Sequence, residues 1–165
     1  MRFDLCPYFS PFTLHPSQPM PTLLSPSDRT VIIERLRAMT PETAARWGTF
    51  DPPRMLCHIT DQMRVAVGDI GSNRQDTLLR RTLLKWIVIH APVKAPPGKV
   101  QTVPEMLTSS PGEWHEDMAA CVALIEEVAK GEANGIHPAF GPLNGKEWAK
   151  LGWRHLDHHL RQFGA

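Results

Sequence analysis

Apolar residues recur at helical spacing in five stretches of this chain, and prolines fall in the gaps between them. Val31, Ile32, Leu36 and Met39 predict a helix over Arg29–Met39, opened by Ser25-Pro-Ser-Asp28, which has the form of a capping box with proline at the first helical position. A short helical turn is expected after Thr40-Pro41. Met55, Ile59, Met63 and Ala66 predict a second helix, with Asp51 as its cap, Pro52 at its first position and Gly68 as its stop. Leu78, Leu79, Leu83, Trp86, Ile87 and Ile89 give a strongly apolar third helix within Arg74–His90. A long connection, Ala91–Ser109, separates it from a fourth helix over Trp114–Lys130, with Met118, Cys121, Val122 and Ile125 inward. Ser110-Pro-Gly-Glu113 reads as that helix's capping box and Gly131 as its stop. Asn144-Gly-Lys-Glu147 caps a final helix that ends at Phe163-Gly164.

No segment longer than Lys99–Val103 alternates as a strand would, so the expected class is all-α. The pattern is that of a four-helix bundle with a long crossover between its second and third main helices and short extra helical turns. Residues 1–24 carry five of the six prolines found up to Pro26 and read as an irregular extension, with Met20 a plausible alternative start. Prolines interrupt every candidate signal-peptide core there, and no run approaches a membrane span. Residues 25–165 then form one helical domain.

Composition narrows the function classes. With 165 residues and 42% hydrophobic content, one buried core is sufficient. Eighteen basic residues against 17 acidic leave a net charge of +1, which gives no global attraction to nucleic acid or to an anionic membrane. Neither is expected as a partner. Cys6, Cys57 and Cys121 have no CxxC spacing, which argues against a disulfide framework and for a reducing cytoplasm. The basic stretch Arg74, Arg80, Arg81, Lys85, Lys94 and Lys99, against Asp76 alone, reads first as a solvated face and second as a receiver for an anionic substrate or thiol cofactor.

The last helix carries the chemistry. His155 and His159 are one turn apart, about 40° around the axis, so both rings can aim at one point. They continue the stripe Trp148, Leu151, Gly152 and Gln162, with Leu156, Leu160 and Phe163 beside it, which turns them toward the bundle interior. His58, flanked by Met55 and Ile59, is the best third ligand, since three histidines from two helices make a site with an open coordination position. His158 points about 100° away from His159 and reads as supporting or exposed. Gln162 and Asp61 are candidates to orient ligand imidazoles. Cys57, about 100° from His58 around its helix, is a packing residue. His137, just before the last helix, is the catalytic candidate as a fourth ligand or general acid/base; the alternative is a turn residue beside Pro138 with Phe140 closing the bundle end. Trp148 and Trp153 are expected in the core before the cleft.

His155-x₃-His159-x₂-Gln162, with one histidine on an early helix, resembles the DinB/YfiT-like family of four-helix metalloenzymes; Trp47-Gly, Met55-Leu-x-His58, His137-Pro-x-Phe140-Gly and the ending His155-Leu-Asp-His158-His159-Leu-Arg-Gln162-Phe resemble, more narrowly, an uncharacterised DinB-related subgroup, over about residues 22–164. The resemblance implies a bundle in which His58, His155 and His159 ligate a divalent metal, zinc or nickel first and iron next. It also implies a small-molecule substrate, a low-molecular-weight thiol as possible co-substrate, a homodimer, and hydrolase or thiol-dependent transferase chemistry. A noncatalytic metal-binding bundle associated with stress is the alternative.

Overall fold

The computed structural model describes residues 20–73, 75–93, 96 and 102–165. Residues 1–19, which hold Cys6 and most of the expected extension, lie outside it, as do Arg74, Lys94, Lys99 and the start of the Lys99–Val103 stretch.

The chain is mostly helical. Helix α1 spans Pro26–Arg37, α2 Pro52–Val67, α3 Lys85–His90, α4 Trp114–Val128 and α5 Gly145–Phe163. A π-helical turn, Arg80–Leu84, leads into α3, and a 3-10 turn, Pro104–Met106, lies within the long connection to α4. Two strands of two residues each, β1 (Ile136–His137) and β2 (Gly141–Pro142), pair antiparallel. The all-α expectation missed this hairpin because strands of two residues have no alternation to read.

Local chemistry explains most of the boundaries. Asp51 accepts from the Arg54 N–H at 2.8 Å and Gly68 closes α2 with φ +91°. Asn144 and Glu147 form the reciprocal capping box of α5, and Gly164 ends it with φ +80°. Ser25 caps α1, but Asp28 bonds the Thr22 N–H, so the reciprocal half of that box is missing. Ser110 does not cap α4: the N-cap is Glu113, three residues later, and Asp117 instead accepts from the Gly112 N–H at 2.8 Å. Thr40-Pro41 makes a hydrogen-bonded turn and no helix.

Helix α2 is central, packed against α4 and α5, while α1 and α3 pack against α5. Met55, Ile59 and Met63 from α2 meet Ile125 of α4 and Leu156 and Leu160 of α5 in one core. Leu23, expected in the extension, is fully buried there, and its N–H bonds the Ala149 carbonyl at 3.2 Å. The packed chain therefore begins ahead of residue 25. Gly152 brings α5 close: a Cβ at this position would lie 2.9 Å from Leu23 and 3.2 Å from Met63. The largest departure from expectation is the third helix. Its leucines are not core residues: Leu78 and Leu79 are 70% and 64% exposed, and Ile89 is the buried anchor. Among the described residues, no helix is long and apolar enough to cross a membrane.

Candidate metal centre

Close packing of α2 on α5 brings His58 opposite His155 and His159. The Nε2 atoms of His58 and His155 are 2.9 Å apart and those of His155 and His159 are 3.1 Å apart. The ring planes stand at 81–83° to one another, with centroids 4.6–4.9 Å apart. One nitrogen from each ring lies within 4.8 Å of the others, a group able to hold a metal ion.

The opposite nitrogens explain why Nε2 faces inward. His58 Nδ1 donates to the Met106 carbonyl at 2.9 Å, His159 Nδ1 to Gln162 Oε1 at 2.9 Å, and His155 Nδ1 to Gln62 Oε1. A carbonyl oxygen only accepts, so each Nδ1 carries the proton of a neutral imidazole and each Nε2 presents a bare lone pair. The Gln162 amide cannot turn over without loss, because its Nε2 donates to the Trp47 carbonyl at 2.7 Å. That contact depends on Gly48, which has φ +79° and would carry a Cβ 2.6 Å from Gln162 Nε2.

Electrostatics keep the three rings neutral. Burial lowers the His58 pKa, only partly offset by the Met106 carbonyl. Burial, then the charge of His58, pushes His159 down to about 3. Burial, then His159 and His58, holds His155 well below the usual imidazole range. Three unprotonated nitrogens in this arrangement have no proton to share and repel one another. A cation removes that repulsion, and three neutral imidazoles are a donor set that fits zinc, nickel or iron.

The surroundings divide into cover and access. Phe50 lies 5.3 Å from the His58 ring and 6.1 Å from the His159 ring. His58 and His159 are buried, and His155 as a residue is half-buried. His158 sits edge-on to Trp47 at 6.2 Å, and its buried Nδ1 has no hydrogen-bond partner among the described residues.

Other sequence candidates fall elsewhere. Asp61 does not orient a ligand: its buried carboxylate accepts from the Ser109 N–H at 2.8 Å and from the Ser109 hydroxyl, tying the long connection to α2. His137 is outside the three-histidine group. Its Nδ1 accepts from the Ala139 and Phe140 N–H groups at 3.1 and 3.3 Å, and its ring stacks on Phe140 at 4.5 Å. Cys57 and Cys121 are buried and form no disulfide among the described residues; Cys57 lines a small cavity of about 150 Å³ with Thr60, Ser109 and Asp117. Trp148 donates to the Gly135 carbonyl and Trp153 to the Asp28 carbonyl, both tying α5 to its neighbours.

Gln62 and the Met106 carbonyl were not anticipated. Gln62 had a signal, since it lies four residues after His58 on the same face of α2. A backbone carbonyl has none.

No curated protein and no solved structure matches the chain. A family model described as "Protein of unknown function (DUF1569)" matches residues 23–165, a span that holds all three histidines and the groups that orient them, and the chain belongs to that family.

Proposed function

We propose that this chain is a metal-dependent enzyme acting on a small molecule, a four-helix bundle of the DinB/YfiT-like kind in which His58, His155 and His159 hold one divalent ion. The observation that carries the reading is the convergence of three Nε2 lone pairs while every Nδ1–H is committed to a carbonyl oxygen. A divalent ion held there supplies Lewis acidity, which makes a nucleophile of a water or of a low-molecular-weight thiol near neutral pH. The chain's own contribution is orientation. Gln62, Gln162 and Met106 fix the tautomers in advance, so binding does not have to reorganise the rings. Phe50 covers the His58 and His159 rings on one side, and His155 is the least enclosed of the three residues, the side on which a small substrate would approach. The absence of a carboxylate among the three ligands leaves the loaded centre cationic, which suits an anionic or thiolate nucleophile.

The test is turnover. Untagged protein, stripped and then reloaded separately with zinc, nickel or iron(II), is assayed on activated esters and amides, and on electrophiles with and without added thiols. Turnover by loaded wild type that disappears in His155→Ala supports the reading, and a thiol requirement selects the transferase. Metal bound at the site with no turnover across the panel overturns the enzyme and leaves a noncatalytic metal-binding bundle.

A further inference from the structure

The segment leading into α3 is tied to the body at both ends and turns its apolar side outward. At its start the Gln75 N–H bonds the Pro138 carbonyl at 2.9 Å. Farther on, Lys85 pairs with Glu147 of α5 at 2.8 Å, and Arg154 of α5 donates to the Ala91 carbonyl at 2.6 Å. Ile89 is buried between these last two ties, whereas Leu78, Leu79, Leu83, Leu84 and Trp86 are 40–70% exposed. The π turn gathers the leucines. Residues five apart would lie about 140° apart around an α-helix, but i→i+5 hydrogen bonding, such as the Lys85 N–H on the Arg80 carbonyl, sets them nearly in line. Leu78 is thereby aligned with Leu83 and Leu79 with Leu84, so four leucines share one face. Arg80 and Arg81, both exposed, lie on the turn between the two pairs.

Charge is concentrated on the same segment. From Arg74 to Lys99 the sequence carries six lysines and arginines and one acid, Asp76, so with a whole-chain net charge of +1 the rest of the chain is net acidic. Arg81 lies 3.6 Å from Asp76, and the Arg80 side chain bonds the Gln75 carbonyl and no carboxylate among the described residues. A near-zero total charge argues against attraction to an anionic surface only where the two signs are evenly spread, and here they are not.

We propose that the Leu78–Trp86 face lies on an anionic lipid surface, with the leucines in the boundary between headgroups and acyl chains, Trp86 at headgroup depth, and Arg80 and Arg81 against the lipid anions. The segment lies on the bilayer and does not cross it. Area selects lipid over a protein partner. The exposed apolar side chains amount to on the order of 500 Å², the size at which a patch marks an interaction site, whereas a stable protein interface takes about 800 Å² from each partner. A bilayer needs no matching shape, and its anionic headgroups complement the excess of cations along the whole segment. The three-histidine site takes no part, so the proposal stands or falls separately from the metal.

Co-sedimentation of the full-length chain with vesicles of phosphatidylcholine, alone or mixed with phosphatidylserine, tests it. Wild type is expected to partition onto the mixed vesicles, about 10-fold or more less onto phosphatidylcholine alone, and progressively less as salt rises. Leu79→Glu and Leu83→Glu are each expected to lower the partition coefficient about 10-fold or more, and Arg80→Gln combined with Arg81→Gln to remove most of the preference for phosphatidylserine. All four positions are exposed, and thermal melting checks that each variant keeps the fold. Lipid brominated near the headgroup should quench tryptophan emission in wild type and quench it less in Trp86→Phe. Wild type that stays in solution beside the mixed vesicles overturns the proposal. So does partition that neither leucine variant lowers, or a loss of self-association alone in those variants, which would assign the face to a second copy.

Discussion

Gln162 determines which nitrogen of His159 is free, because the Trp47 carbonyl holds its amide in one orientation. Gln162→Leu removes the acceptor and is expected to weaken metal affinity about 10- to 100-fold, read by competition with a chelator of known affinity. Gln62→Leu should act in the same way through His155, and affinity unchanged in both variants would detach these amides from the site. Gly48→Ala forces a side chain into left-handed backbone and against the Gln162 amide; the expected cost is about 1–3 kcal/mol in urea denaturation, together with a weaker site. The three histidines were legible in the sequence because residue type, helical spacing and apolar neighbours all pointed the same way. Gln62 follows from the same i, i+4 rule applied to His58. The Met106 carbonyl was not legible, since its place depends on the path of a long connection with no periodicity. Asp61 misled for a related reason: burial of a carboxylate near His58 says that it has a partner, not which one.

The elements show where local signals suffice. Asp51, Asn144 and Gly164 act within four residues of their own position, and each does what its type and spacing lead one to expect. Ser110 does not, because an equally simple arrangement, Asp117 on the Gly112 N–H, serves the same helix end. Amphipathic spacing in the third helix was real, yet it specified a face and not what covers that face. The long connection is held from α2 by Asp61 on Ser109, Arg54 on the Leu107 carbonyl and His58 on the Met106 carbonyl. Asp61→Ala is expected to lower stability by about 2–4 kcal/mol in urea denaturation, because the Ser109 N–H loses a charged acceptor. Limited proteolysis should then cut first within residues 91–109. An unchanged midpoint and an unchanged cleavage pattern would remove Asp61 from this role.

At the scale of the whole molecule, a predominantly helical class followed from the five periodic stretches, and the near-neutral charge said nothing about fold. The hairpin carrying His137 sets a pH dependence for the whole chain. Burial pushes the His137 imidazole down to about 4, whereas in the unfolded chain it titrates near 6.5. Between those values the unfolded state binds a proton that the folded state refuses, so stability is full above about pH 6.5 and falls as pH drops toward 4. His137→Asn keeps an acceptor for the Ala139 and Phe140 N–H groups without the titration. Relative to it, wild type should lose up to about 3 kcal/mol across that window in urea denaturation, and parallel profiles for the two proteins would contradict this assignment. The central claim, that three histidines from α2 and α5 hold one ion, is tested most directly by elemental analysis of untagged protein alongside His58→Ala, His155→Ala and His159→Ala. Wild type is expected to carry about one divalent ion per chain, and each variant to lose most of it. Near-stoichiometric metal in all three variants, or none in a folded wild type offered zinc, nickel and iron(II), would contradict it.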